Sequence, residues 1–527
     1  MIIHAKIAGE IEISIDAIPA DALGLIKSAL TVRNEDRDKA LQERVFGAWD
    51  MPEFIELYRV EARRGGDHVI CLPRGFATNL VGGMASMGHE VQWDDQRTSY
   101  PAADGYYLPF VLRPYQLEAA VAMLKAEQGF YECPAGGGKS ITMLGAFAYA
   151  QQRTLIIVDK AGLVEQWRAR AEQFLGLSRD YADERSVGKI GEDVWEERDL
   201  TVCLRQTLWS RLWELEATDW FSRWGYVLFD EGHHLASDTL AEICRRSTAR
   251  LLQGTSATPT KTETKGRVVH SLVGPVVHQT TRDELYEAGV LMRSTVEVIY
   301  TGHDDVFWDT HEVGDDEECQ VPNCKKIGTA HFHRNNYSSV QKRLVESKVR
   351  NAMIAERIVS ERGHVHLVAS RQLKHLDLLR KAVEDAGWDG PIYMLRGEEN
   401  AAGLSQPIAE AIIAGGQWGM VDDEWTQVLP MSEHGREAVI FSTVADEALD
   451  IPPIDRVHVV FPLRQPAATI QLVGRGERIA EGKTDSIIVD WTDRCSVFAQ
   501  QAEVRHSTYR YIGYEVKERH AGTLPVV

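Results

Sequence analysis

A chain of 527 residues is too long for one ordinary domain and predicts about three. Its 44% hydrophobic and 26% charged residues exclude a disordered chain, and the net charge of −20 argues against a passive nucleic-acid coat, which needs a broad basic surface. The seven cysteines are mostly scattered inside apolar segments, no apolar run approaches a membrane span, and the N-terminus lacks a signal-peptide pattern, so a cytoplasmic protein without a disulfide framework is expected.

In chain order, residues 1–105 contain short strand-like runs (IIHAKIAGEIEISI, EFIELYRVEAR, HVICLP) with one helix expected between Asp36 and Trp49. The Gly-rich patch Leu80 to Gly88 leads through VQWDDQR to PAADG, which reads as a linker. This segment is read as a small α+β accessory domain. From 106 to 298 apolar strands alternate with helical stretches: TLIIVD, LTVCL, GYVLFD and RLLQGTSA. Such alternation predicts βαβ units around a buried parallel sheet. Residues 299–348 are polar and irregular and read as a connecting segment. A second βαβ block spans 349–527, with strands HVHLVAS, AVIFST, DRVHVVF and SIIVDW and an irregular insertion at about 398–435. The predicted fold class is α/β, two tandem parallel-sheet domains behind the accessory domain.

Three constellations carry chemistry. Cys133-Pro134-Ala135-Gly136-Gly137-Gly138-Lys139-Ser140 follows an apolar run and precedes a helix. Successive glycines let backbone N–H groups turn inward onto phosphate, and the helix N-terminus adds positive potential. Lys139 can reach β- and γ-phosphates, and the Ser140 hydroxyl can ligate Mg²⁺. Cys133 stands where the full phosphate-loop pattern has Gly. Next, Tyr226-Val227-Leu228-Phe229 runs into Asp230-Glu231-Gly232-His233-His234, two carboxylates at a strand end; Asp230 suits the metal and Glu231 the attacking water. Finally, Gln471, Arg475 and Arg478 in QLVGRGER are spaced i, i+4, i+7, one face if helical. Arginines presented from there neutralise charge developing on a transferred phosphoryl group.

These motifs, with Thr255-Ser256-Ala257-Thr258-Pro259 shortly after the acidic box, resemble in order those of superfamily 2 helicases of the DExH type. The resemblance implies two RecA-like domains, ATP and Mg²⁺, and movement on nucleic acid. It makes Glu231, Lys139, Arg475 and Arg478 catalytic and Asp230 and Ser140 the metal ligands. In Leu112-Arg113-Pro114-Tyr115-Gln116, Arg113 and Gln116 would read the adenine, and residues 134–140, Asp450 and Gln471 would complete the nucleotide site. Gln166 and Trp167 (in VDKAGLVEQW), Thr207, His234, Ser256, Thr258 and Thr443 would grip the strand or couple grip to ATP state. Thr443 opens Thr443-Val444-Ala445-Asp446-Glu447-Ala448, where Ala448 replaces the usual Gly.

The LRPYQ start, the N-terminal β region ending in Leu72-Pro73-Arg74-Gly75 and the tail Tyr509 to Val516 resemble phage and bacterial DNA helicases related to UvsW and RadD, and the XPB-like repair helicases. That branch implies a DNA partner and work in repair, recombination or replication. An RNA helicase of the same superfamily, or the motor subunit of a restriction or defence complex, are the alternatives; Asp-Glu-Gly-His in place of Asp-Glu-Ala-Asp favours DNA. Arg59, Arg63, Arg64, Arg74 and Arg97 are either duplex phosphate contacts or ordinary surface arginines. Cys319, Cys324, His331 and His333 have zinc-ligand types in a non-standard spacing, and a plain polar loop is the better reading. Most tryptophans fit core packing, with Trp167 the one to test for base stacking.

Overall fold

The computed structural model describes residues 1–42, 47–63, 66–103, 105–183, 185–257, 263–302, 308–311, 331–334, 337–413, 417–421, 424–429, 436–443, 449–494 and 496–520. The chain divides into two compact units, Met1–Leu285 and Tyr286–Val527. Among the described residues, no helix is long and apolar enough to cross a membrane.

The first unit opens with a five-stranded sheet ordered Arg59–Ala62, His68–Pro73, Glu10–Ser14, Ile2–Ile7, Glu90–Asp95. Burial alternates along Ile2–Ile7 and Glu10–Ser14, as a half-buried strand requires. Ile3, Ala5, Ile7, Ile11 and Ile13 pack with Ile26, Leu80 and Met84. Among the described residues three α-helices, not one, accompany this sheet: Ala20–Ala29, Glu35–Gln42 and Ala77–Ser86. The expected helix from Asp36 ends at Gln42, and residues 43–46 lie outside the described ones. The Gly-rich patch is mostly helical. A Cβ on Gly83 would stand 3.0 Å from Leu25 Cδ2, so lack of a side chain there admits close helix packing.

The expected linker is tied down as well. Thr98 N–H donates to Thr248 O at 2.7 Å, and Arg153 N–H to Tyr100 O at 2.7 Å. Leu72-Pro73-Arg74-Gly75 explains the docking of this small sheet. Arg74 is 1% exposed and donates to Gln128 Oε1 at 2.7 Å, Ala249 O at 2.5 Å and Arg250 O at 2.6 Å. A Cβ on Gly75 would meet Gly274 N at 2.3 Å, which leaves only glycine at that approach.

The second sheet of this unit has eight strands, ordered Val194–Glu196, Gly188–Gly191, Leu200–Leu204, Thr154–Val158, Tyr226–Phe229, Leu251–Ser256, Gln128–Glu132, Val276–Gln279. All pairings are parallel except the Val194–Glu196 edge. Strands Thr154–Val158 and Tyr226–Phe229 are buried throughout, as expected of strands covered on both faces. The phosphate loop, the acidic box and Ser256 all follow or end strands of this sheet at its carboxyl edge, where open α/β sheets bind ligands.

The second unit is built on a seven-stranded parallel sheet, ordered Ile392–Leu395, Ala438–Ser442, Val365–Ala369, Arg456–Val459, Ile487–Thr492, Thr295–Tyr300, Glu515–His520. The four strands expected here form within two residues of their sequence limits. Thr295–Tyr300, however, lies between two strands of this sheet, so those residues fall with the second block, where the sequence reading had carried the first block to 298. The expected insertion also resolves differently. Glu398–Ile413 is a helix whose Ile408 and Ile412 enter the core, and only then comes the antiparallel hairpin Gln417–Val421 and Glu424–Leu429. Alternating Ala, Gly and polar residues hid that helix. In the connecting segment, Trp308–His311 pairs with His331–Arg334. Cys319 and Cys324 lie outside the described residues, as do the side chains of His331 and His333.

Candidate nucleotide site

The loop after Gln128–Glu132 curls through two left-handed glycines, Gly136 (φ 83°) and Gly138 (φ 79°). Pro134 O accepts from Gly137 N–H at 3.0 Å, and Ala135 completes the turn before helix Lys139–Ala150. Cys133, the departure from the usual pattern, is accommodated: its buried Sγ lies 2.4 Å from where a Gly137 Cβ would be. Burial pushes the Cys133 thiol up to about 11, so it is neutral filler beneath the loop. Helix Pro114–Ala126 is seated on the same loop. Tyr115 Oη donates to Gly137 O at 3.0 Å, and Gln116 Oε1 accepts from Arg113 N–H at 3.0 Å. A Gly138 Cβ would stand 2.7 Å from Gln116 Nε2, so LRPYQ and the glycine run pack as one surface.

Across the loop stands the acidic box. Lys139 Nζ donates to Glu231 Oε1 at 2.7 Å. Glu231 is also met by Ser256 Oγ at 3.3 Å and His233 Nδ1 at 3.3 Å, and His233 Nδ1 lies 3.0 Å from Ser256 Oγ. Glu231 itself has φ 47°, a left-handed conformation uncommon outside glycine and held here by its surroundings. Asp230 Oδ2 accepts from Trp167 Nε1 at 2.7 Å. Burial opposes the ammonium of Lys139, but the charges of Glu231 and Asp230 outweigh it and hold its pKa above the ordinary lysine value. Burial likewise pushes Glu231 up, but Lys139 and His233 override it and hold the carboxyl well below the usual range. Asp230 is raised, by burial first and the neighbouring Glu231 charge second. Two adjacent carboxylates driven in opposite directions are a common basis for divided chemical roles.

His233 touches Glu231 and Ser256, and the ring of His234 lies tilted against that of His233 with centroids 4.1 Å apart. The short 3₁₀ turn Gly232–Ala236 decides which imidazole points inward. Trp167 is 1% exposed and engaged with Asp230, so its ring is not available to stack on a base. One residue was missed: Arg170, a turn beyond Trp167 on helix Ala161–Leu175, donates through Nη1 to Ser140 Oγ. The i, i+3 spacing from Trp167 was the available signal, but nothing in the sequence says that this face meets the loop.

The expected strand-contacting residues of this unit cluster in part. Gln166 and Thr207 are half-buried. Asp159 pairs with Arg205 at 2.5 Å, and its carbonyl accepts from Gln206 Nε2 at 3.1 Å, tying together the two segments expected to contact the strand. Thr258 lies outside the described residues. The N-terminal arginines are engaged: Arg59 with Glu10 and Glu61, Arg63 with Glu12, and Arg97 with Asp95 and Glu127. Arg74 is a buried brace and contacts no surface phosphate; burial lowers its pKa to about 9. Arg64 lies outside the described residues.

In the second unit, helix Pro466–Val473 carries Gln471 and stops, so Arg475 and Arg478 do not continue its face. Gly474 and Gly476 favour the turn, and Lys483 fixes it, donating to Ile454 O at 2.6 Å, Arg478 O at 2.7 Å and Gly476 O. Leu291 bridges to Arg478, and Met292 N–H donates to Glu477 O at 2.7 Å. Arg478 pairs with Asp450, and Arg475 is buried. Thr443 Oγ1 accepts from Gly397 N–H at 3.2 Å; residues 444–448, with Ala448, lie outside the described ones.

The model of the type III restriction enzyme res subunit family matches residues 109–261, the stretch from LRPYQ past the acidic box. Over those residues the chain resembles superfamily 2 helicases. It is similar to the DNA 3'-5' translocase XPB2 of Sulfurisphaera tokodaii, 25% identical over 69% of this chain and 78% of that one. It is also similar to the DNA 3'-5' helicase XPB of Kineococcus radiotolerans, 29% identical over 33% of this chain and 30% of that one. Several of the curated relatives are thus matched over only about a third of their length, for example 34% and 29% for two archaeal proteins. Among solved structures, a fragment assigned as the HsdR subunit of a type I restriction enzyme from Vibrio vulnificus superposes with a TM-score of 0.52 at 14% identity, covering 90% of this chain and 80% of that one. This supports the tandem parallel-sheet fold of the chain.

Proposed function

We propose that this protein hydrolyses ATP at the Lys139–Glu231 site and converts it into movement along DNA. The observation that carries the proposal is the Lys139–Glu231 contact at 2.7 Å, with Glu231 braced by His233 and Ser256. When Lys139 turns to the β- and γ-phosphates, Glu231 loses its ion-pair partner and is free to orient and deprotonate the attacking water. Ser256 and His233, bonded to each other and to Glu231, link the state of that carboxylate to the end of strand Leu251–Ser256, which suits a coupling role. Arg113 and Gln116, beside the loop, suit adenine recognition. The oxygen donors Ser140 and Asp230 fit a hard divalent cation and would hold Mg²⁺, which neutralises phosphate charge when bound. Arg475 and Arg478, with Gln471 and Asp450, are proposed to serve the same nucleotide from the second unit. Gln166, Thr207 and Thr443 are proposed strand contacts.

DNA as the track is supported by relatives named DNA 3'-5' translocases and helicases. Work on branched or damaged DNA follows from the XPB-like resemblance. For residues 1–105 the ion-paired arginines weaken the case for a phosphate-binding surface. A second reading, motor of a restriction complex, is favoured by the res-subunit match and the HsdR likeness. The test is ATP hydrolysis with single-stranded, duplex, forked and four-way-junction DNA and matched RNA, with Lys139→Ala and Glu231→Gln controls. Stimulation by forks or junctions, lost in both variants, is expected. Stimulation by RNA alone overturns the DNA assignment; equal stimulation by any long duplex, regardless of branches, favours the restriction motor.

A further inference from the structure

The helix Ala161–Leu175 turns two side chains of one face onto the nucleotide site. Trp167 Nε1 donates to Asp230 Oδ2 at 2.7 Å, and Arg170, three residues on, donates through Nη1 to Ser140 Oγ. Arg170 is half-buried and its positive charge also acts on Asp230. One guanidinium therefore serves both oxygen donors assigned above to the divalent cation. Its charge is permanent, and it offers donors only, so it can neither ligate a metal nor step aside by deprotonation. A guanidinium on the Ser140 hydroxyl and a divalent cation on that same oxygen are like charges a few ångströms apart in a poorly solvated site, which strongly disfavours their coexistence.

We infer that Arg170 is a positioning residue acting as a resident counter-cation of the metal-binding pair: it holds Ser140 and Asp230 in place and excludes a divalent cation until nucleotide phosphates arrive. The inference rests on the ATP-site reading. It adds an order of events, in which the metal enters with the nucleotide and not ahead of it. The phosphates supply the negative charge that accommodates the metal and draw the guanidinium off Ser140. Uncharged replacement at position 170 removes the exclusion but leaves both oxygen donors in place.

Mn²⁺ binding to the full chain, followed by electron paramagnetic resonance with and without ADP, tests this. Wild type is expected to bind Mn²⁺ weakly alone and tightly with ADP. Arg170→Gln is expected to bind Mn²⁺ about 10-fold more tightly without ADP, narrowing the gap between the two conditions. Adding Asp230→Asn to that variant is expected to abolish the gain. Arg170→Lys keeps the charge and guards against misfolding: it is expected to retain the exclusion, with a wild-type melting profile. Equal nucleotide-free Mn²⁺ affinity in wild type and Arg170→Gln overturns the inference, as does a gain that survives Asp230→Asn. Absence of ADP-dependent Mn²⁺ binding in wild type instead sinks the ATP-site reading itself, so the two failures are distinguishable.

Discussion

The two large parallel sheets answer the same demand, burial on both faces, with different polar content. The eight-stranded sheet of the first unit gathers a charged cluster at its carboxyl edge, where Lys139 contacts Glu231 beside Asp230 and Arg170 contacts Ser140. The seven-stranded sheet of the second unit buries ionisable groups within its body. Trp491 Nε1 donates to His458 Nδ1 at 3.3 Å, His458 Nε2 lies 3.0 Å from His366 Nδ1, and His366 Nε2 lies 3.0 Å from Glu361 O. Because indole only donates, each imidazole in this chain carries its proton on Nε2 and is satisfied only while neutral. Nearby, Asp490 is buried against Arg505 and Tyr509, and Asp493 against Arg350. The first unit thus concentrates its electrostatics where ligands enter. The second spends polar contacts on its own architecture, so its integrity depends on pH.

Lys139→Ala and Arg475→Ala are each expected to lower kcat by about 10³-fold or more, but only Lys139→Ala should also weaken nucleotide binding. Fluorescent-nucleotide titration beside steady-state hydrolysis separates them; equal loss of affinity in both would erase the division of labour. Acid should unfold the second unit first. Burial lowers His366 to about 4 and His375 to about 3, and lowers His458 as well. The unfolded chain takes up protons below about 6.5 that the folded unit refuses. Stability is therefore fully present above that pH and is lost as pH falls toward 4, by about 3 kcal/mol for His366 alone. Hydrogen exchange of the two sheets at pH 7 and pH 5 measures this, and equal protection loss in both would refute it.

Arg74→Ala should cost about 3 kcal/mol, because it leaves the carbonyls of Ala249 and Arg250 without their buried donor. Limited proteolysis should then cut near residues 96–104 while the eight-stranded sheet survives; an unchanged digestion pattern would show that apolar packing alone holds the small sheet. The smallest effect is expected from Lys483→Met, about 2 kcal/mol from three carbonyls losing one donor. Its kinetic signature should be a lower kcat with KM nearly unchanged, since the turn bearing Arg475 and Arg478 loosens while the phosphate loop does not.

Local pattern was a good guide wherever function needs consecutive residues. Gly136-Gly137-Gly138-Lys139-Ser140 and the apolar run into Asp230-Glu231 could be read because backbone curvature and strand-end position are written in adjacent residues. The apolar strands were read within a residue or two for the same reason: a short β-branched run between breakers has few other uses. Periodicity misled at the Arg475–Arg478 turn, where an i, i+4, i+7 spacing is compatible with a helix but Gly474, Gly476 and a distant lysine end it. Composition gave no helix over the Gly-rich patch, although Gly83 lies inside helix Ala77–Ser86 and its lack of a side chain admits Leu25.

By itself the sequence determined the phosphate-loop and acidic-box motifs, their order and the identity of the groups that carry charge. Tertiary structure alone decided which of two adjacent histidines faces Glu231, that Trp167 serves Asp230 and not a base, that Arg170 reaches Ser140 and that Arg74 is a brace. The reason is that these choices depend on which faces of separate elements meet. That is set by burial summed over whole sheets, and no window of neighbouring residues contains it.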